Sequence, residues 1–260
     1  MKSASSIDGI SDDTCIANKF ADVFSANCRS NLLQEEINVN KTTFYEPLVN
    51  YQGAALDYTS YCSVESISSS LNNLSNGKAA GYDLLTAEFL KYCHPSVLVC
   101  IARLFSLMFK FVHVPDDFGI GITIPLLKAD FGGSVTTSES YRGITIMPIL
   151  SKLFELVLVK ILDPYLQSCE TQFGFKKGNS CSHAIYSVRK IVDYFTSQNS
   201  TVNICALDIS KAFDKICHIR LFMKLMDRNV PRNCLLLIIC WFAKLSTCVR
   251  WSNSFSYSKL

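Results

Sequence analysis

The run VNICALDISKAFDKI holds the residues whose types and spacing bear most directly on chemistry. Val202 to Leu207 carries apolar residues on both faces, which predicts a strand in the middle of a sheet. It ends in Asp208, a carboxylate that is costly to bury without a partner. Two solutions are open. Asp208 caps the helix that follows, or it ligates a metal ion at the end of the strand. The chain is expected to turn after Ile209 and to enter a helix at about Lys211. Phe213, five residues after Asp208, then stands one helical turn on. An acid and a flat apolar wall side by side suit a nucleotide, with phosphate on a metal and sugar on the ring; ordinary core packing is the alternative for Phe213. Other acid-based motifs fit worse. A phosphatase of the D-x-D type has Ser210 where its second acid belongs. A P-loop around Gly77-Lys78 has Asn72 in place of its first glycine and Ala79 in place of its Ser/Thr.

The elements that must position these groups belong to a chain of 260 residues, enough for one large domain or two small ones. With 49% apolar and 18% charged residues it is neither disordered nor collagen-like. A net charge of +3 neither requires nor excludes nucleic acid, because a local patch matters more than the sum. The longest apolar run, Cys234–Ala243, is shorter than the ~20 residues of a spanning helix. The start, MKSASSIDGISDD, lacks the apolar stretch of a signal peptide. An intracellular location, cytoplasm or nucleus, is the expectation. The twelve cysteines form no C-x-x-C pair and sit inside apolar runs. They read as reduced, buried thiols, with neither structural zinc nor a disulfide framework.

Residues 1–60 read as a polar linker or arm with one helical patch that places Ile16, Phe20, Val23 and Phe24 on one face. Helices are predicted over VESISSSLN and TAEFLKYC. A long one lies between Pro95 and Pro115. GIGITIPLL and YRGITIMP predict a hairpin with a long tip between them. In ILSKLFELVLVKIL, residues Leu150, Leu153, Phe154, Val157, Leu158 and Ile161 share one helical face. A basic loop, QFGFKKGNSCSH, precedes another helix. Two more helices are expected at about 214–229 and 232–245, followed by a hairpin around Ser252-Asn253. This is an α+β pattern, mostly helical with a few antiparallel strands. Asp116-Asp117 reads as a turn after Pro115.

ALDISKAFDKI resembles the first catalytic motif of reverse transcriptases of the non-LTR (LINE-type) retrotransposons. NGKAAGYDLLTAEFLK, IPLLKAD, YRGITIMPILSKLFE and QFGFKKGNSCSHAI stand upstream in the family's order, so the resemblance covers about residues 65–260. It implies a right-hand polymerase fold, with 61–200 as a fingers-like subdomain and 201–260 as the start of a palm. It also implies RNA-directed DNA polymerase activity on an RNA template and a DNA primer, with dNTP as substrate and Mg²⁺ as cofactor. Asp208 would ligate the metal, helped by the Ile209 carbonyl. Phe213 would be the steric gate under the incoming sugar, with Ala212 beside it. Lys128 and Arg142 match hairpin positions that contact the triphosphate, where positioning and charge neutralisation drive phosphoryl transfer. Gln172, Gly174, Phe175 and Lys176 match the loop along the template path, and Lys78 matches a basic template contact. Gly143 stands where many members carry proline, and is expected to loosen the hairpin strand.

The family's Gly-Gln motif, its paired-aspartate hairpin and its thumb do not follow Asp208 within this sequence. Two Mg²⁺ ions held ~3.5–4 Å apart need several oxygens to offset their repulsion. One motif carboxylate is a poor clamp, so the chain alone is expected not to polymerise DNA, and the open palm edge is expected to favour aggregation. Two other readings remain. One is a non-catalytic nucleic-acid-binding remnant that uses Lys78, Lys128, Arg142, Lys176 and Lys177 as a basic track. The other is a helical interaction protein of decayed ancestry.

Overall fold

The computed structural model describes residues 4–28, 43–128, 134–176, 178–209 and 211–257. The chain divides into two compact units. One comprises residues 1–165 with 213–260, and the other residues 166–212.

In the first unit the elements run α1 (Asp13–Asn27), a helical stretch at 43–50, α2 (Val64–Asn72), α3 (Ala87–Lys91), α4 (Pro95–Phe111), β1 (Ile120–Leu127), β2 (Tyr141–Ile146) and α5 (Ile149–Leu162). After the second unit, which holds α6 (Cys181–Ser197), come α7 (His218–Asp227), α8 (Arg232–Lys244), β3 (Ser246–Trp251) and β4 (Ser254–Phe255). Local chemistry sets the helix starts. The Asp12 carboxylate accepts from the Cys15 amide at 2.8 Å, the Ser63 hydroxyl from the Ser66 amide at 3.2 Å, and Pro95 opens α4.

The large core lies among α2, α4, α5, α7 and α8. The apolar face expected for α5 is the face that is buried, with Leu153, Phe154, Val157 and Ile161 at or near zero exposure. Phe154 is its hub. Its ring centroid lies 4.9 Å from Phe105, 5.7 Å from Phe109, 6.2 Å from Phe118 and 5.6 Å from Trp241. Edge-on and tilted aromatic contacts of this kind add to plain area burial.

The sheet has the order β2-β1-β3-β4. β1 pairs antiparallel with β2 and, on its other edge, parallel with β3. The expectation of antiparallel strands holds for the two hairpins and fails for β1–β3. That pairing joins segments about 120 residues apart, and no local turn signal announces it.

Three other expectations are corrected. Residues 201–209 form no strand, and Ile204, Leu207 and Ile209 are exposed. A strand apolar on both faces needs hydrogen-bond partners on both edges, and none of the described residues pairs with this run. The helix expected to open at about Lys211 is a turn at 211–215; α7 starts at His218. The stretch expected as a polar arm holds α1, whose Phe20 packs on Trp251 and Tyr141 in a second, smaller core with Ile7, Ile16 and Val249.

Gly143 belongs to that contact. A Cβ there would meet Thr123 Cγ2 at 2.9 Å and the Phe24 ring at 3.1 Å. Its missing side chain admits α1 onto the hairpin, so the position is tightly packed rather than loosened.

The cysteines also depart from expectation. Among the described residues Cys62 and Cys234 are buried, and the other thiols are half-buried or exposed. The apolar runs around Cys100 and Cys240 are helical, and a helix buries one stripe of such a run rather than all of it.

Two outcomes follow from this packing. Phe154→Ala removes the hub of the aromatic cluster and lowers the free energy of unfolding by about 3–5 kcal/mol in a denaturant titration. Burial pushes the Cys62 thiol up to about 11 and the Cys234 thiol up to about 12. Hydrogen bonding from Thr171 lowers the exposed Cys169. Because the thiolate is the reactive form, iodoacetamide at pH 8 labels Cys169 at least about tenfold faster than Cys62 or Cys234, as peptide mass spectrometry will read.

Candidate functional site

Lys128 and Arg142 stand at the same end of the β1–β2 hairpin. Arg142 lies opposite Leu126 in the ladder, and Lys128 follows β1 by one residue. The Lys128 amide extends the pairing by donating to the Ser140 carbonyl at 2.9 Å. Side chains alternate along a strand. Tyr141, Gly143 and Thr145 therefore share one face, the face on which Phe20 and Phe24 of α1 pack. Arg142 faces the other way, with Leu126, and Lys128 falls two residues along on that same side. Such diagonal neighbours lie about 7–8 Å apart, within the span of a triphosphate. The Lys128 ammonium donates to the Glu139 carbonyl at 2.7 Å.

The turn that receives Lys128 is itself held. Asp8 accepts from the Ser138 amide at 3.1 Å and from the Ser138 hydroxyl at 2.6 Å, and its own amide donates to the Thr136 carbonyl at 2.7 Å. The Ser138 hydroxyl, more than any other neighbour, holds the Asp8 carboxyl below the ordinary carboxylate range. A lowered carboxylate contributes stability above its unfolded value of about 3.9 and loses it as pH falls through the folded value, so the contact is at full strength near neutrality. Ile7, Asp8, Gly9 and Ile10 close a two-residue turn, with Asp8 at φ 48° and Gly9 at φ 80°. Ile7 is fully buried in the small core. The sequence reading passed over Asp8, although an Asp-Gly pair between two isoleucines is a strong signal for such a turn.

On the α1 side lies a mostly apolar groove of about 680 Å³, lined by Phe213, His218, Met147, Thr145, Thr247 and Leu245 among others. Phe213 is 72% exposed and belongs to the groove wall rather than to the core. Thr123 binds Thr145 at 2.8 Å and Thr247 at 2.7 Å, so a row of hydroxyls crosses β2, β1 and β3 at the groove floor. Met147 also lines a second, smaller pocket of about 220 Å³ that holds Lys78, Lys152 and Gly81. Gly81 is there of necessity, since a Cβ would stand 2.9 Å from the Pro148 backbone. Next to it, burial and a hydrogen bond to Asp117 push the Tyr82 hydroxyl up to about 12. Asp116 pairs with Lys244 at 2.7 Å. Both acids of the Asp116-Asp117 pair thus serve a short 3₁₀ turn, as expected.

In the second unit Gln172, Gly174, Phe175 and Lys176 form a closed turn. Gln172 Nε2 donates to the Gly174 carbonyl at 3.1 Å, and Lys176 Nζ to the Cys169 carbonyl at 3.3 Å. Phe175 adopts φ 57°, uncommon for an aromatic residue, and is 93% exposed. Lys177 lies outside the described residues. Ser180 and His183 cap α6 reciprocally. The apolar face of α6, with Ile185, Val188, Ile191 and Phe195, is exposed. Asp208, Ile209 and Ala212 are exposed as well. Among the described residues Asp208 ends no strand and caps no helix.

A divalent cation does not find a complete site. Among the described residues no three His, Cys, Asp or Glu side chains converge on one point. Mg²⁺ is commonly held by one or two carboxylates together with water and substrate phosphates, so one carboxylate and one carbonyl would be part of such a set. No helix of the described residues is long and apolar enough to cross a membrane.

Comparison with known proteins finds relatives of the family that the motifs resemble. Over 155 residues the chain is 28% identical to the probable RNA-directed DNA polymerase from transposon X-element of Drosophila melanogaster, covering 58% of this chain and 17% of that protein. Over 176 residues it is 24% identical to the RNA-directed DNA polymerase from mobile element jockey of Drosophila funebris, covering 65% of this chain and 19% of that protein. The matched region is therefore less than a fifth of the length of these relatives. The profile of the reverse transcriptase (RNA-dependent DNA polymerase) family matches residues 127–260, just over half of the sequence, and the chain belongs to that family.

Proposed function

We propose that the chain is the nucleotide- and template-handling part of an RNA-directed DNA polymerase of the right-hand type, comprising fingers and the first segment of the palm. The boundaries are 61–200 and 201–260. The reaction is attack of a primer 3′-OH on the α-phosphate of a dNTP, forming the new phosphodiester and releasing pyrophosphate. The observation that carries this reading is the pleat of the β1–β2 hairpin, which sets Lys128 and Arg142 on one face at triphosphate spacing.

Each side chain has a task in this scheme. Lys128 and Arg142 neutralise the triphosphate; the guanidinium is suited to paired phosphate oxygens and the ammonium to a single point of charge. Phe213, with Ala212 as its backbone neighbour, takes the steric-gate role against a 2′-OH from the family resemblance; its groove lies on the α1 side, opposite the face of Arg142, so the chain around it must move for both to meet one nucleotide. Asp208 and the Ile209 carbonyl supply two oxygens toward Mg²⁺. The remaining ligands would come from the nucleotide, water or other protein groups. Lys78 and the turn from Gln172 to Lys176 track the template, where the exposed Phe175 ring offers a base a stacking surface.

RNA-templated primer extension with Mg²⁺, by a polypeptide that contains this chain, tests the scheme. Asp208→Asn lowers the rate at least about 10³-fold, or about 4 kcal/mol. Arg142→Ala raises the KM for dNTP more than it lowers kcat. Phe213→Val cuts the preference for dNTP over rNTP by about tenfold or more. An extension rate unmoved by Asp208→Asn defeats the polymerase reading. If Arg142→Ala then still weakens RNA binding, with a steep salt dependence, the chain is a binding module.

A further inference from the structure

We propose that Asp8 is a positioning residue for Lys128, acting through the 138–140 turn; this rests on the reading of Lys128 as a triphosphate contact. Lys128 lies one residue beyond the last paired position of β1. Two groups that hold it, the Ser140 carbonyl at its amide and the Glu139 carbonyl at its ammonium, belong to the 3₁₀ turn Ser138–Ser140. That turn is tied to the rest of the molecule at its first residue. Asp8 takes the Ser138 amide and hydroxyl, while the Asp8 amide holds Thr136. Asp8 in turn cannot drift, because its neighbour Ile7 is buried against the small core. The chain of contacts runs from a buried side chain, through a carboxylate, to a turn, and then to the cation.

A residue in this place must satisfy two demands. It must tolerate φ 48°, and it must accept hydrogen bonds. Asn meets both, since its carbonyl takes the Ser138 amide and its amide reaches the hydroxyl from the other side. Gly meets only the first. Asp8→Gly therefore removes the contact without straining the turn, and Asp8→Asn restores it.

The test measures amide hydrogen exchange at Lys128 and Ser138, and affinity for a fluorescent dTTP analogue with Mg²⁺, on the full chain. Asp8→Gly is expected to speed exchange at both amides about tenfold or more while peptides from α4 and α5 keep their protection. It is also expected to weaken the analogue about five- to tenfold, with no added loss in a Lys128→Met background. Asp8→Asn returns both values to within about twofold of the parent. Unchanged exchange in Asp8→Gly overturns the proposal, as does a loss of affinity that persists in the Lys128→Met background. If exchange quickens but Lys128→Met binds the analogue as the parent does, the positioning contact stands and the triphosphate reading of Lys128 falls.

Discussion

β1 is hydrogen-bonded to β2 over Ile122–Leu127 and to β3 over Ile120–Thr123, and the placement of Lys128 and Arg142 depends on it. One edge fixes the register of β2, hence which side of the hairpin Arg142 occupies. The other edge takes β3 in parallel, bringing residues 246–251 beside residues 120–123. A parallel pair needs a long connection, and here the connection includes α5, all of the second unit, α7 and α8. The cost of closing so large a loop grows only slowly with its length, and the large apolar core offsets it. The Thr123 hydroxyl, bonded to Thr145 and Thr247, repeats the three-strand arrangement in side chains.

α1 is the second constraint, and glycine makes it possible. Helix α1 lies across β3 and β4 and reaches the hairpin at Gly143, where Phe24 occupies the space a side chain would need. The Asn18 side chain accepts from the Tyr257 amide at 2.8 Å, so the same helix also closes the far end of the sheet. The N-terminal segment is thus a structural part of the hairpin. One face of the hairpin is committed to packing, and the cations stand on the other. A charged residue facing α1 would meet aromatic rings and lose hydration without a partner, which separates the roles of the two faces.

What the sequence disclosed and what it withheld divide along the range of the interaction concerned. The helical face of residues 149–162, the helices in VESISSSLN and TAEFLKYC, the hairpin at 120–146 and the closing hairpin at Ser252-Asn253 depend on neighbours within a few residues, and the structure has them. The parallel β1–β3 pairing, the docking of α1 and the exposure of most cysteines depend on partners far along the chain, which no periodicity encodes. Asp8 is the exception. Its turn is local and its dipeptide is diagnostic, but its contact with Ser138 is long-range. Of the candidate site, Lys128, Arg142 and Phe213 were singled out by motif order as expectations. The hairpin that carries Lys128 and Arg142 was legible too; which face Arg142 occupies, and that Phe213 lines a groove on the other side, follow from the register and from long-range packing.

Residues 202–209 carry the same lesson into the second unit. Their composition is that of an interior strand, and Leu207 is 92% exposed. Burying such a run contributes ~25 cal/mol for each Å² of apolar surface. That gain is realised only if the backbone groups also find partners, since an unpaired buried amide costs more than one good contact returns. The exposed face of α6 poses the same requirement on the helical side. A helix stripe and a two-faced strand are the pieces of an α/β layer. Both lie within residues 166–212, between the template-loop motif and the first catalytic motif. The acid on which the proposed chemistry turns thus sits at the end of the segment whose strand is not formed in the described structure.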